Sequence, residues 1–271
     1  MTTTATTTDI PAATGSRPLI ARGLLRLTGT ELRLFSRDVG TVFFALVFPT
    51  VLLLGMGLVI PGMRDPVEGM GPPWEGMQVI HLFTPALVSV AIATVALNTL
   101  PAYLAGYREQ GVFRRLSTTP MRPSGILQAH LTISVISLLV AAPAAVLAAV
   151  VVFDVPLPQR PVVLAAAFLL GAGAMLGVGL IIGGLAPKAN VASGIGMLVY
   201  FPMLFFAGLW TPGPLMPDTL QAIAGYTPLG AASQAMSQAW FGGGVPAQQL
   251  AVLAAYGVVT FLIGARTFRW S

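Results

Sequence analysis

Six stretches of the sequence, each about 20 residues or longer, carry almost no charged side chains. A helix of that length crosses the roughly 30 Å hydrocarbon core of a bilayer. A water-soluble fold could not cover so much apolar surface. The sequence therefore predicts an all-α membrane protein with six transmembrane helices. The predicted spans lie near 41–61, 79–104, 126–153, 161–185, 191–209 and 248–266.

The distribution of charge predicts the orientation of these helices. Charged residues make up only 8% of the chain, against about 25% in soluble domains. With both termini in the cytoplasm, 12 of the 14 Lys and Arg residues fall in inner segments, as the positive-inside rule requires. The net charge of +5 is then a property of loops and topology, so no nucleic-acid partner is expected.

Several kinds of chemistry are excluded by residue type. The chain has no cysteine, which rules out disulfides and Cys-based metal sites, and no metal site is expected. A Walker-type phosphate loop needs Gly-Lys-Ser/Thr, whereas the only lysine, Lys188, stands in Pro-Lys-Ala. No acid–base pair or nucleophile lies within the predicted spans. The chain is therefore predicted to be a non-enzyme without a cofactor of its own.

The chain before the first span divides into two parts. Residues 1–18 are Thr- and Ala-rich and are predicted to be disordered. Residues 19–38 place arginines on one side of a helix and leucines on the other, which predicts an interfacial amphipathic helix in contact with membrane lipid. Glu31 falls in the apolar face and needs a partner. It is either a carboxylate that extends to the interface and pairs with a nearby arginine, or a contact with a partner subunit or with 108–115.

The segment 106–123 separates the second and third spans and is unusually rich in arginine. Residues 107–119 are predicted to form a short amphipathic helix in the interface, with Phe113 and Leu116 on one face. Pro120 and Pro123 would end it. Two interpretations are open: a basic loop that only sets topology, or a docking element for a soluble partner.

Two motifs resemble those of a known family. Arg-Glu-x-Gly-x-x-x-Arg-Leu-x-x-x-Pro, from Arg108 to Pro120, resembles the cytoplasmic signature of ABC-2 type transporter permeases, such as the daunorubicin-resistance permeases. After the fifth span, Gly208-x-x-x-Pro212, Met216-Pro-x-x-Leu-Gln221 and Pro228-Leu229 resemble that family in the same order. Residues 210–244 are predicted to form short outer re-entrant helices. The six-span domain would cover 39–271.

The resemblance implies a function. The chain would be the permease subunit of an ATP-binding-cassette exporter in a bacterial inner or plasma membrane. A separate P-loop ATPase subunit would bind ATP and Mg, and a second copy or a homologous permease would complete the channel. Docking and coupling would fall to one set of residues: Arg108, Glu109, Gly111, Arg114, Arg115, Leu116 and Glu31.

The transported compound is not fixed by the motifs. The resemblance implies hydrophobic or amphipathic, drug- or antibiotic-like compounds, with lipid or glycolipid as the alternative. An ATP-independent carrier or channel is a further alternative, although the lack of charged groups within the spans argues against ion coupling. Candidate path residues, which could equally be packing residues, are Phe43, Phe83, Asn98, Phe201 and Phe205.

Overall fold

The computed structural model describes residues 17–112, 115 and 124–267, with the backbone alone described at 17–26, 124 and 265. The predicted N-terminal tail lies outside these residues, except that Arg17 and Pro18 already belong to the first helix. Within the described residues the chain is helical and forms no strand.

Among the residues that the structure describes, six helices are long and apolar enough to cross a membrane, which confirms the predicted number of spans. The spans in chain order are α2 Val39–Val59, α3 Val79–Glu109, α4 Ser124–Phe153, α5 Pro161–Leu185, α6 Ala189–Ala207 and α9 Ala247–Thr267. The other α-helices of the described residues are α1 Arg17–Arg37 before the first span, and α7 Asp218–Ala224 and α8 Pro228–Phe241 between the fifth and sixth.

The second span, α3, forms the centre of the bundle. In its most apolar part 94% of the residues are buried, against 22% in α2 and α6 and 17% in α9. Because α3 touches protein on nearly all sides, its apolar residues serve packing between helices rather than contact with lipid. The helices α2, α6 and α9 each leave a broad apolar face open.

A π-helical segment widens α3 at Thr94–Thr99. Pro101 follows it, and a proline has no N–H to donate to the carbonyl four residues earlier, here that of Leu97. Two glycines of neighbouring spans lie against this segment: a Cβ at Gly179 of α5 would collide with the Ala96 carbonyl, and one at Gly196 of α6 with that of Leu97. The two glycines therefore let α5 and α6 approach the centre of the bundle.

The helix α8 is inserted among the spans and is largely buried. It packs against α3, α5, α6 and α9. The Trp240 indole donates to the Pro156 carbonyl at 2.7 Å, and the Gln159 N–H donates to the Trp240 carbonyl at 3.1 Å. These bonds attach α8 to the loop between α4 and α5. We call this end of the bundle the α8 end, and the opposite one, which carries α1, the α1 end.

Candidate functional site

The Arg-Glu motif lies at the α1 end, where α3 stops. The helix α3 extends to Glu109, five residues beyond the predicted end of the span at 104, so that residues 107–109 are its last turn. This corrects the prediction that a separate helix begins at residue 107. Gly111 has a φ of +67°, a left-handed conformation that glycine adopts without the steric cost of a Cβ. It therefore allows the chain to turn away from α3.

Arg108 binds the end of the fourth span. Its Nη1 donates to the carbonyl of Gly183 at 2.8 Å and to that of Ala186 at 2.9 Å. The last carbonyls of a helix have no partner within the helix and carry its negative dipole end. The guanidinium of Arg108 therefore donates hydrogen bonds to two carbonyls at the end of α5 and places a positive charge at the negative end of its dipole.

Glu109 binds the start of the fifth span. The Ala189 N–H, at the first residue of α6, donates to Glu109 Oε2 at 3.2 Å. A carboxylate at this position satisfies a free N–H group and complements the positive end of the helix dipole. The two motif residues thus hold both sides of the short turn that joins α5 to α6.

Arg115 lies on the surface of the α1 end. It is exposed, and its guanidinium donates to the Gln110 carbonyl at 2.7 Å. Glu109 is also exposed on the same surface. The other predicted docking residues of this segment, Arg114 and Leu116, lie outside the described residues, as does most of 113–123.

Glu31 faces into the protein, where it has two partners. The Tyr107 hydroxyl donates to Glu31 Oε2 at 2.6 Å, and His130 Nε2 lies 3.5 Å from the same oxygen, an ion-pair distance. The side chain is buried. Burial raises the pKa of the Glu31 carboxyl, but the interactions with His130 and Tyr107 together outweigh it, so that the pKa lies below its ordinary value. The carboxylate attaches α1 to both α3 and α4.

A second acid extends this polar cluster to the first span. The Tyr103 hydroxyl donates to Asp38 Oδ2 at 3.1 Å, and the Tyr103 ring stacks on the His130 ring with centroids 5.1 Å apart. The N–H and hydroxyl of Thr41 also donate to Asp38. These hydrogen bonds, those from Thr41 first, lower the pKa of the Asp38 carboxyl. We call Glu31, Asp38, Tyr103, Tyr107 and His130 the tyrosine–histidine cluster.

Sequence reasoning missed most of this cluster. The sequence marks Glu31 as a carboxylate in need of a partner, but it does not connect Asp38, the two tyrosines or His130 with it. One usable signal existed: Tyr103 and Tyr107 are four residues apart and therefore share one face of α3. The pairing of that face with α1 and α4 depends on tertiary packing.

The predicted path residues fall into two environments. Phe83 is 5% exposed and belongs to the core. Phe43 of α2 and the two phenylalanines of α6, Phe201 and Phe205, are 40%, 55% and 39% exposed. Asn98 is half-buried in the π-helical segment of α3, beside Gly196. The aromatic side chains of the candidates on α2 and α6 are therefore exposed, whereas that of Phe83 packs in the core.

The described side chains at the α1 end connect helices to one another and do not form a set of reacting groups. Arg108 and Glu109 connect α3 with α5 and α6, and the tyrosine–histidine cluster connects α3 with α1, α2 and α4. A force applied to the end of α3 would therefore reach α1, α2, α5 and α6 through hydrogen bonds of 2.6–3.2 Å. It would reach α4 through His130, whose ring stacks on Tyr103 and whose Nε2 lies 3.5 Å from Glu31 Oε2.

Comparison with known proteins identifies the family. No curated protein matches the chain significantly. A family model described as "ABC-2 type transporter" matches residues 19–241, from the third residue of α1 to the last residue of α8. The match covers more than half of the chain and includes five of the six spans. The protein therefore belongs to the ABC-2 type transporter family and is a membrane transport subunit rather than the ATPase.

Proposed function

We propose that the chain is the permease subunit of an ATP-binding-cassette exporter that moves hydrophobic or amphipathic, drug-like compounds out of the cell. Membership of the family implies an ATP-binding partner subunit. ATP and Mg would be bound by that partner, which would supply the energy. A second copy of the chain, or a homologous permease, would form the other half of the path.

The observation that carries the proposal is the way in which Arg108 and Glu109 hold the turn between α5 and α6. The segment 106–123 begins at this point, and its residues Glu109 and Arg115 are exposed on the surface that a partner would meet. A partner that moves on binding ATP would displace the end of α3. The displacement would pass to α5 and α6 through the two caps, and to α1 through Glu31.

The placement of charge supports one orientation in the membrane. Arg33, Arg37, Arg108, Arg115 and Lys188 all lie in or beside the described elements of the α1 end. We place that end in the cytoplasm, because basic residues are retained there. The proposed docking surface then faces the compartment that holds ATP.

The proposal is tested by purifying the tagged chain in mild detergent from its native host. We expect a soluble subunit with a P-loop to accompany it. The double variant Glu109→Gln with Arg115→Gln should lose that subunit or its transport-coupled ATPase activity. Glutamine retains an acceptor for the Ala189 N–H, so the α6 cap is kept while both charges are removed.

A matched control is available at the α8 end. Glu68→Gln with Arg160→Gln makes the same two changes at exposed residues and should leave the association intact. If the Glu109/Arg115 variant kept normal coupling and export, the docking assignment would be wrong. A chain that purified alone and still moved solute in liposomes without ATP would instead be a carrier or channel.

A further inference from the structure

A cleft of about 470 Å³ opens at the α8 end of the bundle. It lies between α7, α8, the start of α3 and the start of α9, and Trp74 forms part of its wall. Leu82 and Phe206 form an apolar part of the lining, towards the spans. The cleft lies at the end of the bundle opposite to the Arg-Glu motif.

The lining from α8 is polar although the helix is buried. Ser233-Gln234 recurs as Ser237-Gln238, and this spacing of four residues places all of them on one helix face. All four line the cleft. A polar stripe on a helix packed among apolar spans costs free energy unless the side chains find polar partners.

Some of these side chains are already paired and others are not. Gln234 donates to the Gln221 carbonyl at 2.7 Å and accepts from Gln249 at 3.3 Å. Ser237, Gln238 and Gln248 make no side-chain hydrogen bond with any part of the chain that the structure describes. These three residues supply unused donors and acceptors on two sides of the cleft.

The lining carries little charge. Five of its residues are glutamines, and no basic residue occurs among the lining residues that the structure describes. Its one acid, Asp218, is exposed at the rim. A primary amide both donates and accepts, so a set of amides matches neighbouring hydroxyl groups, which do the same. The aromatic face of Trp74 adds an apolar surface with a polarised π-system.

We propose that this cleft binds the sugar headgroup of an amphipathic molecule, with the apolar part of that molecule lying along Leu82 and Phe206. The hydroxyl groups would pair with Ser237, Gln238 and Gln248. The inference rests on the proposed export function for its meaning, since a bound headgroup at this end would belong to the transported compound. A glycolipid and a glycosylated antibiotic share this chemistry.

The test measures binding without ATP, on the full chain in nanodiscs of phosphatidylethanolamine and phosphatidylglycerol. The probes are butyl β-D-glucoside, butyl phosphate and butyltrimethylammonium, which share one apolar tail and differ in headgroup. Binding is followed by saturation-transfer NMR, with empty nanodiscs as the blank. We expect the glucoside to bind at least about tenfold more tightly than either charged probe.

The decisive variant is Gln238→Leu with Gln248→Leu, which keeps side-chain size and removes two unpaired amides. Loss of two hydrogen bonds should weaken glucoside binding by about tenfold or more. Gln128→Leu, an exposed glutamine at the α1 end, is the control and should change nothing. Thermal unfolding of each variant confirms that the bundle is intact.

Two results would overturn the inference: equal binding of the three probes, or unchanged glucoside binding in the Gln238/Gln248 variant. Measuring octyl β-D-glucoside in place of the butyl probe separates a glycolipid from a glycosylated antibiotic. A site for a glycolipid should bind the glucoside with the longer tail more tightly. Failure of binding with intact ATPase coupling would reject the sugar site alone. Glucoside binding by a chain that purifies alone from its host and moves solute in liposomes without ATP would reject the exporter and keep the site.

Discussion

At the residue scale, the Arg-Glu motif combines inward and outward functions. Arg108 directs its guanidinium to carbonyls of the α5 end, whereas Glu109 and Arg115 are exposed on the surface. Under the proposed docking role, a single motif would both bind a partner and transmit its movement. The two parts can be separated by mutation.

Arg108→Ala should destabilise the bundle by about 3 kcal/mol, because hydrogen bonds to a charged donor contribute about 1.5–3 kcal/mol each. Arg108→Lys should cost less, since an ammonium can replace part of the interaction but not its planar geometry. Unfolding in mixed micelles with increasing dodecyl sulfate measures the difference. Arg160→Ala, at an exposed arginine of the α8 end, should be nearly neutral. Equal losses of stability in Arg108→Ala and Arg160→Ala would contradict the conclusion that Arg108 caps α5.

Glu31 should make the attachment of α1 dependent on acid pH. Its pKa lies below the ordinary value of 4.5 in the folded protein. A carboxyl with a lowered pKa contributes stability that is present above the ordinary value and is lost as the pH falls through the lowered one. The attachment should therefore be constant from neutral pH to about pH 5 and weaken only at more acid pH.

The measurement uses spin labels on cysteines placed at Ser36 of α1 and Gln128 of α4, both exposed, in a chain without native cysteine. The distance distribution should stay narrow down to about pH 5 and then broaden. Glu31→Gln should give a broad distribution at every pH. A transition between pH 6 and 7 in the original chain would assign the effect to a group other than Glu31.

Sequence reasoning reached the identity of the motif residues but not their contacts. The spacing from Arg108 to Pro120 is local information, and it identified a candidate docking segment. The carbonyls of Gly183 and Ala186 are 75 and 78 residues away from Arg108. No periodicity in the sequence records such a pairing. Glu31 shows the intermediate case, because its need for a partner was visible while the partner was not.

At the element scale, the packing around α3 depends on Gly179 of α5 and Gly196 of α6. The sequence does not distinguish either residue from the other glycines of its helix. Gly173 with Gly177 and Gly179 with Gly183 form two small-xxx-small pairs in α5, a spacing that predicts a packing face. The structure divides them. Gly177 faces Thr260 of α9, Gly179 and Gly183 face α3, and nothing lies within 4 Å of a Cβ at Gly173. Helical spacing alone did not reveal which neighbour each glycine meets.

Gly179→Ala and Gly196→Ala should each destabilise the bundle strongly, by about 2 kcal/mol or more, because the added methyl would overlap a backbone carbonyl that cannot rotate away. Each helix provides its own control. Gly173→Ala in α5 and Gly194→Ala in α6 have open space at the added Cβ and should be neutral or slightly stabilising. Yield and thermal unfolding in detergent compare the four. Similar behaviour of all four would show that α3 does not pack this closely.

At the scale of the whole molecule, the number of spans was predictable and their arrangement was not. Length and hydropathy determine whether a helix can cross a bilayer, and both are properties of a single stretch. The central position of α3 is a property of the bundle, and its sequence is no more apolar than that of the peripheral α4. Burial among other helices and burial in lipid select the same side chains.

The exposed faces of α2 and α6 lead to a prediction about the assembly. Val51 of α2 and Phe201 of α6 are 46% and 55% exposed and lie twelve residues into their helices. The most exposed aromatic rings of the spans lie on the same two helices, with Phe43, Phe44 and Phe205 at 40%, 53% and 39%, whereas Tyr256 and Phe261 of α9 are 36% and 37% exposed. Aromatic side chains are enriched where protein surfaces meet. We therefore expect α2 of one copy to contact α6 of another, and two-fold symmetry would form this contact twice.

Cysteine cross-linking in native membranes tests the arrangement, since the chain has no cysteine of its own. Val51→Cys with Phe201→Cys should give a covalent dimer on oxidation. Leu139→Cys with Val258→Cys places two cysteines at similarly exposed mid-helix positions, 53% and 61%, on α4 and α9, and should remain monomeric. Dimers from the second pair alone would move the interface to α4 and α9. In that case the exposed rings of α2 and α6 would face lipid, and Phe43, Phe201 and Phe205 could not line a path between two copies.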